Sequence, residues 1–401
     1  MPKTARFRSG SRTIARLLGL SFSGALIFSV IVAIRHMLET PIRLESPLPG
    51  ESHYYKSKRG YIFYKVQGSP EAPPLLLLHT PELAASAYEM RKMIEPLAQH
   101  YRVYAPDLIG FGFSDRPAID YSAETYVTLC RDFLTDVIKQ PATVVASRIS
   151  CTYAIATAAT SPSLCERLVL ISPVALEGVQ ERTSLLPARE TEIPLMHAWT
   201  ELLQTAPVKW LLYPMLSTRF VLRSVLAKQR ALISDADMDY YYASTHQTGA
   251  EHASMALLAG KLEQDVSQQL EIVQQPTLVI WGARGLNNTR HIGSQQDTSW
   301  TKAHTRLELL PDAGLAVHEE HPETVIATIL SWSEERKAAA SEENSTVEAY
   351  CAKCKMKRRM LNATEVTSKD GRLAVRGTCE VCGSNLHRFR RNKQQISASM
   401  T

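Results

Sequence analysis

Charge is sparse and close to balance in this chain. Of 401 residues, 45 are Lys or Arg and 40 are Asp or Glu, 21% in all, and the formal net charge is +5. With 45% hydrophobic residues, this composition excludes intrinsic disorder as the default state and describes an ordinary globular protein. Cysteine is scarce, seven in total. An odd number excludes a framework in which every cysteine is bridged. A small-residue cleavage site is also missing near the start, where Ala33-Ile34-Arg35 would have to serve. That absence argues against a cleaved signal peptide.

What is present is unevenly placed. Residues 1–46 hold seven Lys/Arg against two acids, and residues 351–393 hold twelve against three. Ends of +5 and +9 in a chain of +5 leave −9 for the body between them. Basic ends face anionic lipid or nucleic acid, or serve only topology and solubility. Between Arg16 and Arg35 runs Leu17–Ile34, 18 uncharged and mostly apolar residues. As a helix this run is about 27 Å long, close to a hydrocarbon core. The reading is a basic leader (1–16), a single transmembrane anchor (17–35) and a spacer (36–53). The positive-inside bias puts the N-terminus in the cytoplasm.

From residue 54 onward, short apolar segments alternate with helical patterns. Strands are expected at 61–66, 75–78, 102–105, 143–146, 168–171, 277–281 and 306–310. Helices are expected at 84–99, 124–139, 151–160 and 322–335. This alternation predicts a mostly parallel sheet covered on both faces. Residues 178–270 break the rhythm and read as an inserted helical lid. Cys130, Cys151 and Cys165 lie in apolar stretches and read as small core residues.

Three stretches carry a resemblance when taken in order. They are Leu75-Leu-Leu-Leu-His79, then Asp107-Leu-Ile-Gly110-Phe-Gly112-Phe-Ser114, then Pro276-Thr-Leu-Val-Ile-Trp-Gly282. Over residues 54–335 the chain resembles the α/β-hydrolase superfamily, more narrowly its bacterial lidded esterase/lipase-like branch. That resemblance implies a doubly wound sheet with a helical lid, and a serine, an acid and a histidine for acyl-transfer chemistry. The chain departs from the pattern at each of the three. At the strand-to-helix turn, small-x-nucleophile-x-small reads Ala146-Ser147-Arg148-Ile149-Ser150. Arginine is always protonated and cannot attack a carbonyl. Past Gly282, Ala283-Arg284-Gly285 offers no carboxylate, so Gly285 stands for the acid. In the G-H-x-x-H-x-E pattern, Leu315 follows Gly314 where the histidine belongs, while His318 and Glu320 keep the register. His79-Thr80 replaces the His-Gly of the oxyanion region.

These losses predict a pseudohydrolase with no intact triad. The ligand pocket expected from them is lined by His79, Thr80, Ser147, Arg148 and Ile149. A helix N-terminus and a guanidinium together favour a carboxylate or phosphate, hence an acidic or acyl small-molecule ligand. The opposing reading pairs Arg148 with a nearby acid such as Asp107 and leaves the cleft vestigial. An active serine hydrolase with displaced groups is the alternative, with Ser147, Ser150 and His318 as fallback candidates and Cys151 as a remote thiol.

Residues 336–348 read as a polar linker. Then come Cys351-Ala-Lys-Cys354 and Cys379-Glu-Val-Cys382-Gly383. Paired C-x-x-C turns predict a four-thiolate Zn2+ site, with two disulfides as the other reading. A hairpin is expected between them around Lys369-Asp370-Gly371. Residues 349–391 resemble a small bacterial zinc-ribbon-type domain of unknown function, followed by a tail (392–401). Metal would stabilise so small a unit. If the N-terminus is cytoplasmic, this module lies across the membrane, where thiols tend to oxidise, so its side stays open. Lys353, Lys355, Lys357, Arg358, Arg359, Arg388, Arg390 and Arg391 crowd it. The second alternative is therefore a nucleic-acid or assembly adapter, in which only Tyr350 and Phe389 are placed to stack on bases.

Overall fold

The computed structural model describes residues 44–173, 200–229, 233–284, 304–345, 348–367 and 373–389, with Val30 and Ile34. Leu17–Ile34 is otherwise outside the described residues, as are Gly285 and part of the lid. Among the described residues no helix is long and apolar enough to cross a membrane. The chain divides into two units, Met1–Ile326 and Ala327–Thr401.

The first unit is built on an eight-stranded sheet: β1 (Glu51–Ser57), β2 (Gly60–Gln67), β3 (Pro74–Leu78), β4 (Arg102–Pro106), β5 (Ala142–Ser147), β6 (Cys165–Ile171), β7 (Thr277–Gly282) and β8 (Thr305–Leu310). Their order is β1-β2-β4-β3-β5-β6-β7-β8. β1 and β2 run antiparallel to their neighbours, and β3 through β8 are parallel. Every residue of β3, β5 and β7 is buried. That is why these segments read as unbroken apolar runs: both sheet faces are covered, and alternation has no role.

Each expected strand is found within one to three residues. β1 was not expected, because half of the span was read as spacer. Its side chains are exposed or half-buried throughout, so it has no apolar signature and is held by pairing with β2. The expected helix 84–99 is a 3₁₀ turn (Ala87–Met90) followed by α1 (Arg91–Leu97). Ser86 accepts the Tyr88 N–H at 3.2 Å and fixes the start of the turn. Two helices sit where the sequence places them, α2 (Ala123–Phe133), which runs on into a π turn at Leu134–Ile138, and α3 (Ser150–Thr160).

The inserted segment is helical where described: α4 (Ala206–Leu216), α5 (Arg219–Gln229), α6 (Asp235–Thr245), α7 (Ala250–Leu258) and α8 (Ser267–Ile272). After β8 come α9 (Val317–Glu320) and α10 (Pro322–Ser345). The stretch read as a linker therefore continues a helix as far as Ser345.

The second unit carries a four-stranded antiparallel sheet of β9 (Glu348–Cys351), β10 (Met356–Thr367), β11 (Leu373–Cys379) and β12 (Asn385–Phe389), in the order β12-β11-β10-β9. Its core is small: Ala349, Met360, Val375 and Leu386 packed with the cysteines.

Candidate functional site

Only Arg148 and Ile149 separate β5 from α3. A strand that turns into a helix in two residues forces a sharp backbone, and Arg148 takes φ +49°. For a side chain other than glycine, this left-handed region costs about 1–2 kcal/mol. The Arg148 N–H donates to Ile171 O at 2.8 Å, which ties the turn to the end of β6. The strained elbow that presents a nucleophile is thus intact, and it presents a guanidinium.

The guanidinium has an acid beside it. Arg148 Nε lies 2.6 Å from Glu82 Oε1, and the two side chains are 10% and 12% exposed. Arg148 thus does pair with a nearby acid, as the opposing reading has it, but the acid is Glu82; Asp107, the example named for that reading, is engaged elsewhere. Its carboxylate oxygens each accept a backbone N–H at 2.7 Å, from Ala87 and from Phe113. Burial pushes the Asp107 pKa up, against the pull of those two bonds. Gly112, at φ +52°, makes this possible: a Cβ there would stand 2.1 Å from Asp107 Oδ2.

A second acid organises the other side. Glu89 Oε1 accepts the Ser147 hydroxyl at 2.5 Å, and His318 Nε2 lies 3.0 Å from the same oxygen. Glu89 Oε2 accepts the Thr80 N–H at 2.9 Å. Ser147, Glu89 and His318 are 0%, 3% and 1% exposed. The two fallback residues Ser147 and His318 do come together, but through a carboxylate. In a working triad the histidine stands between serine and acid. Here the acid stands between serine and histidine.

Ser150 is also committed, donating to His79 O at 2.6 Å. His79 Nε2 accepts the Leu108 N–H at 2.9 Å, so its proton sits on Nδ1, 2.9 Å from Thr80 O. Cys151 is fully buried, its Sγ 3.2 Å from Ala146 O, and burial raises its thiol pKa. The five residues expected to line a pocket form one cluster, none more than 8% exposed.

On the histidine loop, Glu320 Oε2 accepts the Gly314 N–H at 3.0 Å and pairs with Arg284 at 3.0 Å. A Cβ on Gly282 would meet Gly314 O at 2.1 Å, so the end of β7 and this loop touch backbone to backbone. The loop is held as the sequence register requires, with half-buried Leu315 at the histidine position. Ala283 and Arg284 supply no acid, and Gly285 lies outside the described residues.

Sequence reasoning missed Glu82 and Glu89. Glu82 precedes the expected helix and Glu89 lies inside it, and no spacing rule marks either.

A polar seam lies beside the cluster. Arg91 pairs with Asp237 of α6 at 3.0 Å and with Glu319 at 3.1 Å, and it covers the Tyr88 ring at 4.4 Å. Tyr88 donates to Asp237 at 2.9 Å. Burial and that bond push the Tyr88 pKa up to about 12.

In the second unit, the sulfurs of Cys351, Cys354, Cys379 and Cys382 all lie within 4.8 Å of one another, and none is in a disulfide. Cys351 and Cys382 are 3.4 Å apart, and Cys354 and Cys379 3.9 Å. The residue after each C-x-x-C pair is left-handed, Lys355 at φ +52° and Gly383 at φ +66°. The two turns are thus near copies that face one point.

Comparison with known proteins bears on both units. Residues 350–389 match a domain of unknown function (DUF5679). Haloalkane dehalogenase 2 of Mycobacterium tuberculosis is 26% identical over 293 residues, 70% of this chain and 94% of that protein. An uncharacterized protein of the same organism is 33% identical over 119 residues, 29% of this chain. The match spans about a third of that relative's length, 34%. Among solved structures, Cfl2 from Burkholderia cenocepacia superposes with a TM-score of 0.58 at 21% identity, covering 73% of this chain and 99% of that one. A haloalkane dehalogenase loop variant from Bradyrhizobium elkanii gives 0.57 at 21%, with the same coverage, 73% and 99%. These likenesses show the same fold. The family model for the alpha/beta hydrolase family matches residues 75–328, and the chain belongs to that family.

Proposed function

We propose that the large unit is a non-catalytic pseudohydrolase that binds a ligand or partner, anchored to a membrane by Leu17–Ile34. The observation that carries this reading is Arg148, strained at φ +49° on the elbow and paired with Glu82. Every covalent route available to this fold begins with a nucleophile on that turn. A guanidinium cannot serve, and Leu315 cannot act as a base. Losing either group from a triad removes about 10⁶-fold of catalysis. The dehalogenase activity named for relatives is accordingly not proposed here. Fluorophosphonate labelling of the purified chain tests the reading. No label is expected, and stoichiometric labelling of Ser147 or Ser150 would overturn it.

The ligand we propose is acidic-headed and apolar. Arg148 Nη1 is buried and has no hydrogen-bond partner among the described residues, so a carboxylate or phosphate would satisfy it. Calorimetry with fatty acids and acyl phosphates should show binding that Arg148→Ala removes.

One observation favours an active hydrolase with displaced groups, namely the Ser147–Glu89–His318 contact. Burial of all three and the central place of the acid count against it.

For the second unit we propose a structural Zn2+ held by Cys351, Cys354, Cys379 and Cys382. Tetrahedral zinc with sulfur at about 2.3 Å sets sulfurs about 3.8 Å apart. The sulfur spacings of 3.4 and 3.9 Å fit that figure. Bound metal would supply folding free energy that the small core cannot.

A further inference from the structure

Residues directly opposite in an antiparallel sheet share a face, so the register sorts the side chains of the second unit. Cys351, Met360, Cys379, Val375 and Leu386 fall on one face, and all are buried. Arg388 lies on that face too. Its Nη1 donates to Glu348 O at 3.1 Å, which draws the edge strands β12 and β9 toward each other. The sheet therefore curls around its cysteines and turns its other face outward.

That outward face follows from the same register. Tyr350 stands opposite Lys357, Arg359 opposite Glu348, and Leu361 opposite Thr378. Arg376 stands opposite Thr364 on one side and His387 on the other, and Phe389 opposite Ala374. The bulge between Leu361 and Thr364 keeps Thr364 and Val366 on the outward face. All these residues are exposed except buried Ala374 and half-buried Thr378. Tyr350 is 64% exposed and Phe389 59%. Lys357, Arg359 and Arg376 thus form a cationic band across the two central strands. An aromatic ring is carried on each edge strand. The acids beside the band among the described residues are Glu348, opposite Arg359, and exposed Glu380, whose carboxylate accepts the Arg359 N–H at 3.4 Å.

We propose that this face binds single-stranded nucleic acid. The cations would contact the phosphates, and Tyr350 and Phe389 would stack on bases. The charge of the face calls for a polyanion, and exposed rings beside cations suit an unpaired strand, whose bases present π-faces. Charge alone would also draw such a face to anionic lipid. An exposed ring on each edge strand beside the cations, however, is what stacking on unpaired bases requires and lipid attraction does not.

Fluorescence anisotropy of the full chain in detergent tests it, with a mixed-sequence 15-nucleotide single strand, its duplex, and anionic phosphatidylglycerol vesicles as competitor. The single strand should bind, with log K falling against log salt at a slope of about −2 for three phosphate contacts. That slope weakens binding about 20-fold between 50 and 200 mM salt. Lys357→Glu/Arg359→Glu/Arg376→Glu should abolish binding, and Tyr350→Ala or Phe389→Ala should weaken it about tenfold. The milder Arg376→Ala, at an exposed position, should lower the slope by about 0.7 and separates lost contact from lost fold. Failure to bind the strand, binding that the charge reversals leave unchanged, or uptake of the vesicles alone would each overturn the proposal.

Discussion

Arg148 and Glu82 meet at 2.6 Å on the turn where this fold presents its attacking atom. Both side chains are nearly buried, so each charge depends on the other. Removing one partner strands the other in a poorly solvated place, which typically costs about 3 kcal/mol or more. Arg148→Ala and Glu82→Ala should each destabilise the large unit by about that amount. The double variant should recover part of the loss rather than add to it. Denaturant unfolding of the four proteins measures this, and strict additivity would mean that the pair is not coupled.

Restoring one catalytic residue should not restore catalysis. Arg148→Ser places a hydroxyl on the elbow, but Leu315 gives it no base. That variant is expected to show no ester turnover above background. Arg148→Ser/Leu315→His supplies both groups, on a loop already held by Glu320 and Gly314. It should become reactive toward fluorophosphonate, with mass spectrometry placing the label on residue 148.

Acid should loosen α6 of the inserted helical segment. Burial raises the Asp237 pKa, but hydrogen bonds from Ser234 and Tyr88 and the charge of Arg91 outweigh it and hold the carboxyl below its ordinary value. A carboxyl with a depressed folded-state pKa stabilises the fold above its unfolded value of about 4. That contribution is lost as pH falls through the lower folded-state value. Protection from hydrogen exchange over residues 235–245, relative to the intrinsic rate at each pH, should therefore fall below about pH 4. Asp237→Asn should flatten that dependence.

In the second unit, the left-handed position that closes each matched turn is Lys355 in the first and Gly383 in the second, so only Lys355 bears strain there. Lys355→Gly removes a left-handed strain of about 1 kcal/mol and should slow metal loss to a chelator. Chelation itself should unfold residues 348–389, seen as rapid hydrogen exchange there. Cys354→Ser should have the same effect without chelator.

The sheet was legible because β3, β5 and β7 are buried on both faces and so read as plain apolar runs. β1 was not, because an edge strand whose side chains are exposed or half-buried, held by β2 and by Tyr55 against Phe133 and Asp136, leaves no alternating hydrophobic trace. Arg148 and Leu315 were legible as substitutions because flanking residues fix the turn and the loop. Their partners were not. Glu82 and Glu89 reach the site through a loop and a 3₁₀ turn whose path depends on Asp107 holding the Ala87 and Phe113 amides. That is a tertiary arrangement, and no periodicity encodes it. The reading that pairs Arg148 with a nearby acid finds its acid in Glu82, and Asp107, named as the example, was the wrong one for the same reason: both its carboxylate oxygens are taken by backbone N–H groups. The four cysteines were fully legible, since their spacing alone sets two matched turns.

Ester hydrolysis by the purified full chain, compared with Ser147→Ala and Ser150→Ala, decides whether the large unit is catalytically silent. All three proteins should match the background rate, because the group on the elbow is a paired guanidinium. Turnover by the natural chain that either serine replacement abolishes would contradict it.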